Sequence, residues 1–325
     1  MWYCLSMRKI GRFVKNLFLF GLVLLLGYYL SKGYLSLTNP ELAKKIYDHT
    51  ASAASIDRQA GQELVFDAAI YPYYDALNDD QKILYKDMYR AANDMVDSFE
   101  PSVSVSAEDV ETTFRSLLCD HPELFWLSNQ YHYQFMQSSG EIVSVSIQYN
   151  ETADSIDEAK QEFEAAGNRI IEEAQKLDTD YAKEKYVHDA LINQVEYVTG
   201  APMNQSAFSA LVSDQTVCAG YAKSFQYLMQ KLNIPCYYVI GTSEGQDHAW
   251  NIVNIDGSFY NVDVTWDDCA SEHDPYYFFN LDDLAFNQYH TRALLSADLP
   301  NCTSTLLAHL EDEDVYPYMR FTIPK

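Results

Sequence analysis

DHAWNIVNIDGSFYNVDVTWDD, residues 247–268, is the stretch whose reading decides the fold. Asp256-Gly257 is a strong two-residue hairpin signal between two strand-like runs. With those residues as the loop, Ile255 pairs with Ser258 and the register follows from there. His248 is then expected opposite Thr265, and Trp250 opposite Asp263. His248 and Asp263 project from one face as diagonal neighbours, roughly 6–8 Å apart between backbones. A carboxylate so placed bonds one imidazole nitrogen and leaves the other for a nucleophile. Asp267 shares the parity and is an alternative partner, while Asp247 and Asp268 face away. Taken alone, a His and an Asp on one strand pair are usually a polar sheet face.

A nucleophile lies thirty residues upstream, in TVCAGYAKSFQYLMQKLNIP, residues 216–235. Tyr221, Ala222, Phe225, Leu228, Met229 and Leu232 follow helical spacing, and Asn233 with Pro235 ends the helix. Cys218 therefore falls in the first turn, where unpaired N–H groups and the helix dipole favour a thiolate. Its N–H is a plausible oxyanion donor for the same reason. Ala219 and Gly220 are small enough for a substrate backbone to approach. Tyr221 and Trp250 are candidate cleft walls, although a core role for Trp250 is at least as reasonable. An isolated cysteine, by contrast, is ordinarily a small buried hydrophobe.

CAGYA, HAWN and DVTWDD, in this order, resemble the transglutaminase-like superfamily. DHPELFWL (120–127), KYVHDALINQVEY (185–197) and VCAGYAKSFQYL (217–228) resemble its exported bacterial members with a helical N-terminal extension. The resemblance covers roughly residues 63–290. It implies an α+β, papain-like core with the cysteine helix packed on an antiparallel sheet. It also implies Cys218 as nucleophile, His248 as base and Asp263 as orienting acid. Tyr197 and His188 belong to the matching motifs and are read as structural. The superfamily includes cross-linking enzymes, cysteine proteases, amidases and inactive binding modules, so the reaction stays open between acyl transfer and hydrolysis of a peptide or protein amide. A non-catalytic envelope protein that keeps the fold as a binding platform is the alternative.

Working outward, residues 63–150 are expected to form a small α+β region. Its parts are an amphipathic helix over Asn78–Val96, a second from Ser106 to about Cys119, and a hairpin through Tyr131–Phe135 and Ile142–Tyr149. The transglutaminase-like domain is assigned to 151–325. Ser155 and Glu158 form a capping box for a helix to about Leu177, and Asp180 starts another. At the other end, Leu17–Leu30 is apolar and flanked by Lys15 and Lys32. It falls short of the roughly 20 residues of a comfortable span, but flanking residues extend it. Residues 1–38 are therefore read as a basic flank and signal anchor, with the body outside the cytoplasm; a cleaved signal peptide is the alternative. Residues 39–62 are read as a juxtamembrane helix and linker.

The whole chain carries 22 basic and 47 acidic residues over 325, a net charge of −25. The first forty residues hold five of the bases and none of the acids. A body so acidic repels phosphate backbones, which excludes a nucleic-acid partner. The expected partners are a peptide or protein substrate in the envelope and the membrane itself. Six cysteines without a C-x-x-C give no support for a zinc ribbon, and Cys119, Cys236, Cys269 and Cys302 are open to bridging. No cofactor is expected. Calcium through Asp267–Asp274 or Glu311–Asp314 has no recognisable ligand spacing.

Overall fold

In the computed structural model of the chain, which describes residues 64–269 and 274–308, Asp256 and Gly257 form the expected loop. Both take positive φ, 51° and 84°, as a twist-matched hairpin turn requires. The expected register holds from Ile255–Ser258 to Asn251–Val262 and then stops. The pairs Trp250–Asp263 and His248–Thr265 do not form. Instead Asp263 ends the strand and starts a helix: its Oδ1 accepts the Trp266 N–H at 3.1 Å and its carbonyl accepts that of Asp267. An aspartate is a strong helix starter, and here local capping wins over continued pairing.

In chain order, α1 (Pro72–Ala76) and α2 (Asp79–Asn93) precede β1 (Ser98–Phe99), α3 (Ala107–Asp120), β2 (Leu127–Phe135) and β3 (Ile142–Tyr149). Asn78 with Gln81 and Ser106 with Asp109 form reciprocal capping boxes that open α2 and α3. The three strands make one antiparallel sheet in the order β1-β3-β2. Next come α4 (Ile156–Ala174), α5 (Asp180–Gln194), β4 (Glu196–Tyr197), α6 (Ala207–Leu211), β5 (Gln215–Thr216) and α7 (Cys218–Lys231). The expected Ser155 cap is not made. The chain enters α4 through a 3-10 turn, Glu151–Ser155, started by Asn150, whose Oδ1 accepts the Thr152 N–H at 3.0 Å.

The chain then runs through β6 (Cys236–Ser243), β7 (Gln246–Ile255), β8 (Ser258–Val262), α8 (Val264–Cys269), α9 (Asp283–Phe286) and β9 (His290–Arg292). The four strands form an antiparallel sheet in the order β8-β7-β6-β9. Helix α7 lies on β6 and β7, its apolar stripe of Tyr221, Phe225 and Leu228 fully buried. Asn251 on β7 ties the two layers by donating to the Ala222 carbonyl at 2.9 Å. This is the α+β, papain-like arrangement of a cysteine helix on an antiparallel sheet.

One apolar core joins the N-terminal elements to α7. Phe163 of α4 contacts Phe125 at 4.6 Å and Tyr227 at 4.5 Å, and Gln226 of α7 donates to the Cys119 carbonyl of α3. Each large side chain buried there contributes about 1.5–3 kcal/mol. All described residues fall in the unit Ile56–Lys325. No helix among them is long and apolar enough to cross a membrane; the expected anchor at 1–38 and the juxtamembrane helix and linker at 39–62 lie outside the described residues.

Candidate active site

Cys218 is the first residue of α7, half-buried, preceded by Val217 in extended conformation. The first N–H groups of any helix lack an intrahelical acceptor, so the Cys218 amide has no partner within α7. What lets the helix begin here is Gly220. A Cβ on it would stand 1.8 Å from Thr216 Oγ1 and 3.0 Å from the Ser206 carbonyl. That overturns the reading of Gly220 as room for substrate: the missing side chain makes room for β5.

His248 sits on β7 opposite Gly241 of β6. Its Nε2 bonds Asp263 Oδ2 at 2.6 Å, and it lines the same cleft as Cys218, whose sulfur lies near enough to act on its charge. With Nε2 occupied, Nδ1 is the nitrogen left for sulfur. Burial alone would depress the His248 imidazolium, but the adjacent Asp263 carboxylate and the Cys218 sulfur outweigh it and raise the group to about 10. Asp263 is fully buried, which alone would raise it; the His248 imidazole and a second histidine hold it well below the usual carboxylate range.

That second histidine, His290 on β9, is absent from the sequence reading. Its Nε2 bonds the same Asp263 Oδ2 at 2.9 Å. It is buried among aromatic rings, stacked on Phe286 at 4.0 Å and edge-on to Trp250 at 5.1 Å. His248, Asp263 and His290 are also the described residues whose ligating atoms, all within 4.8 Å of one another, could hold a metal ion. Both imidazoles instead satisfy the carboxylate directly.

The remaining expectations divide. Trp250 is 1% exposed and stacks beneath His248 at 6.3 Å, so it supports the imidazole and does not line the cleft. Tyr221 is also buried, its hydroxyl donating to Asp268 and to the Val195 carbonyl. Asp267 does not reach His248. Its Oδ2 bonds His188 Nε2 at 3.0 Å and its Oδ1 accepts the Phe278 N–H, because entry into α8 turns it away from the strand face. His188 is buried in that network, whereas Tyr197 is exposed.

All five described cysteines are free, with Cys119, Cys236 and Cys302 buried and Cys269 exposed. Of the acidic stretches weighed for calcium, Asp267 and Asp268 are engaged as above, and 311–314 lie outside the described residues. A cleft of about 710 Å³ opens beside Cys218 and His248. Ala219, Lys223, Tyr238 and Gly241 line it, together with Arg115 and Tyr131 of the N-terminal region.

Residues 168–264, from α4 to the start of α8, match the sequence profile of the transglutaminase-like superfamily. The chain carries a transglutaminase-like domain. The profile ends one residue past Asp263 and so contains Cys218, His248 and Asp263 but not His290. Human kyphoscoliosis peptidase is similar, 27% identical over 154 residues, covering 41% of this chain and 23% of that protein. The chain thus spans less than a quarter of the length of that relative. Among solved structures, a TGase is 16% identical with a TM-score of 0.30, covering 52% of this chain and 50% of that one. A candidate cysteine protease from Cytophaga hutchinsonii is 19% identical with a TM-score of 0.29, covering 42% and 61%. At these scores, the assignment of the transglutaminase-like domain rests on the profile and on the residues themselves.

Proposed function

We propose that the chain is a thiol-dependent acyl transferase or amidohydrolase acting on peptide or protein amides. Cys218 is the nucleophile, His248 the acid–base group and Asp263 the residue that orients it. The observation that carries this reading is the relay Cys218–His248–Asp263, with Asp263 on Nε2 and sulfur left to Nδ1. The Cys218 thiolate adds to the amide carbonyl carbon, and the oxyanion is met by the Cys218 N–H at the helix start. His248 then gives its proton to the leaving nitrogen, the C–N bond breaks and a thioester remains. Water completes a hydrolysis; a lysine amine completes a cross-link. In either case, the incoming nucleophile returns one proton to His248. The reading extends to location: the apolar run 17–30 and its basic flank support a membrane anchor with the body outside the cytoplasm.

The test is iodoacetamide labelling of the full chain, with Cys218 followed by peptide mass spectrometry between pH 5 and 9. Labelling is expected to stay fast at pH 6 in the natural sequence. It should fall by about 10²–10³-fold there in His248→Ala, and by a smaller factor in Asp263→Asn. Labelling that climbs only in alkali, and is indifferent to both substitutions, would overturn the enzyme reading and leave a binding platform.

A further inference from the structure

Of the charged side chains around the cleft, Lys223 has no opposite charge beside it. Arg115, on the lining, pairs with Glu111 at 3.6 Å on an exposed helix face. Asp247, also on the lining, is exposed at the end of β7. Lys223 forms no ion pair among the described residues, and its ammonium lies 5.6 Å from the centroid of the Tyr238 ring. Burial depresses the ammonium, and its one charge-bearing neighbour of note is Cys119, whose thiol burial pushes up to about 12 and so leaves neutral. Lys223 is half-buried, and a partly desolvated cation without a counter-charge is costly, the more notable in a chain of net charge −25 that has acids to spare.

Position gives the cation a use. Lys223 follows Cys218 by five residues on α7, about 7.5 Å along the helix axis, and both side chains line one cleft. An extended peptide advances about 3.3–3.6 Å per residue. That offset equals about two residues between backbones, which the length of the Lys223 side chain shortens, so a carboxylate on the residue beside the attacked acyl carbon comes within its range. The Tyr238 ring lines the same cleft beneath the ammonium, favourable to the cation on its face and to the aliphatic part of a ligand.

We propose that Lys223 and Tyr238 form an anion subsite that selects acyl donors carrying a carboxylate at or beside the reacting residue. This rests on the reading of Cys218 as the nucleophile and narrows the substrate class. The carboxylate sheds water on its contacting side, displaces water from the exposed side of the half-buried ammonium and pairs with it. Arg115 lines the same cleft and exchanges Glu111 for the same ligand only if the ligand is large enough to reach it.

Bromoacetyl amides test the subsite without knowledge of the reaction, because the Cys218 thiolate displaces bromide and keeps the probe as a thioether. The pairs are bromoacetyl-Asp-amide against bromoacetyl-Asn-amide, and bromoacetyl-Gly against bromoacetyl-Gly-amide, applied to the full chain with Cys218 read by peptide mass spectrometry. The first pair presents a side-chain carboxylate and the second a terminal one. At least one acid-to-amide rate ratio is expected to fall by about three- to tenfold in Lys223→Met and to be retained in Lys223→Arg. Methionine keeps the aliphatic stem over Tyr238, and an unchanged rate with the neutral probes shows that the nucleophile is intact. Ratios equal in the natural chain and Lys223→Met overturn the subsite and leave the thiol reading standing. A Cys218 that none of the four probes labels overturns both.

Discussion

At Asp263 one carboxylate oxygen serves two imidazoles, and that sharing is the feature of the site the sequence hides best. That His248 and Asp263 come together was legible from the Asp256-Gly257 hairpin, although the strand pairing expected to place them stops at Asn251–Val262 and Asp263 meets His248 from the start of α8. His290 was not. It arrives from β9, beyond a stretch with no periodic signal, and pairs with β6, so nothing local in the sequence connects it to Asp263. Its second bond holds the carboxylate ionised and in place while His248 changes charge. His290→Phe keeps the stack on Phe286 but removes the donor. The acid limb of Cys218 alkylation is expected to move to higher pH, because the carboxylate loses one of the interactions that keep it charged. His290→Gln, which retains an N–H donor, should restore part of the shift. A pH profile identical in all three chains would show that His290 only packs.

Among the elements, α7 and the β7–β8 hairpin were readable, the first from 3.6-residue periodicity and the second from Asp-Gly. The misreading was of DVTWDD, whose alternation suits a strand while Asp263 caps a helix; periodicity over so few residues does not separate the two. The consequence is useful to the site. By ending the strand at Asp263, the fold leaves the carboxylate free to turn under His248, and the helix amide of Trp266 holds its other oxygen. Gly220 is the counterpart at the start of α7. Thr216 Oγ1, the atom a Cβ would strike, is fixed by Ser209 Oγ at 2.6 Å and the Asn204 carbonyl at 3.0 Å, so it has little freedom to retreat. Alanine normally favours a helix over glycine by about 1 kcal/mol, yet here overpacking should outweigh that. Gly220→Ala is expected to destabilise the chain by about 1–3 kcal/mol in urea unfolding and to slow Cys218 labelling as the helix start shifts. A variant as stable and reactive as the natural chain would show that β5 yields easily.

For the whole molecule, Glu184, Asp120, His188 and His248 are all shifted upward. Burial raises the Glu184 carboxyl to about 8 and that of Asp120 to about 7, although Asn280 bonds the first, and Tyr73, Tyr74 and Tyr85 bond the second. A carboxyl raised on folding is held protonated by the native state, so its contribution is largest below its ordinary pKa and is lost as pH rises through the folded value. His248, raised to about 10, and His188, raised to about 9 by Asp189 and Asp267 against the opposing effect of burial, also contribute below their ordinary pKa and lose that contribution in alkali. Asp263 opposes them only in acid: its contribution is complete above its ordinary pKa of about 4 and is lost as pH falls toward its folded value of about 2. Self-repulsion of a chain at −25 adds to the alkaline side. Thermal stability is therefore expected to peak on the mildly acidic side, near pH 5, and to decline steadily toward pH 9. Glu184→Gln isolates one contributor. Glutamine keeps an acceptor for Asn280 and removes the titrating group, whose second oxygen has no hydrogen-bond partner. The variant should match the natural chain near pH 5 and exceed it by on the order of 1–3 kcal/mol at pH 9. Melting curves at half-unit pH intervals decide the matter: a midpoint that rises from pH 5 to 9, or an unchanged slope in Glu184→Gln, would mean that Glu184 is ionised in the native state and that its charge is balanced within the fold.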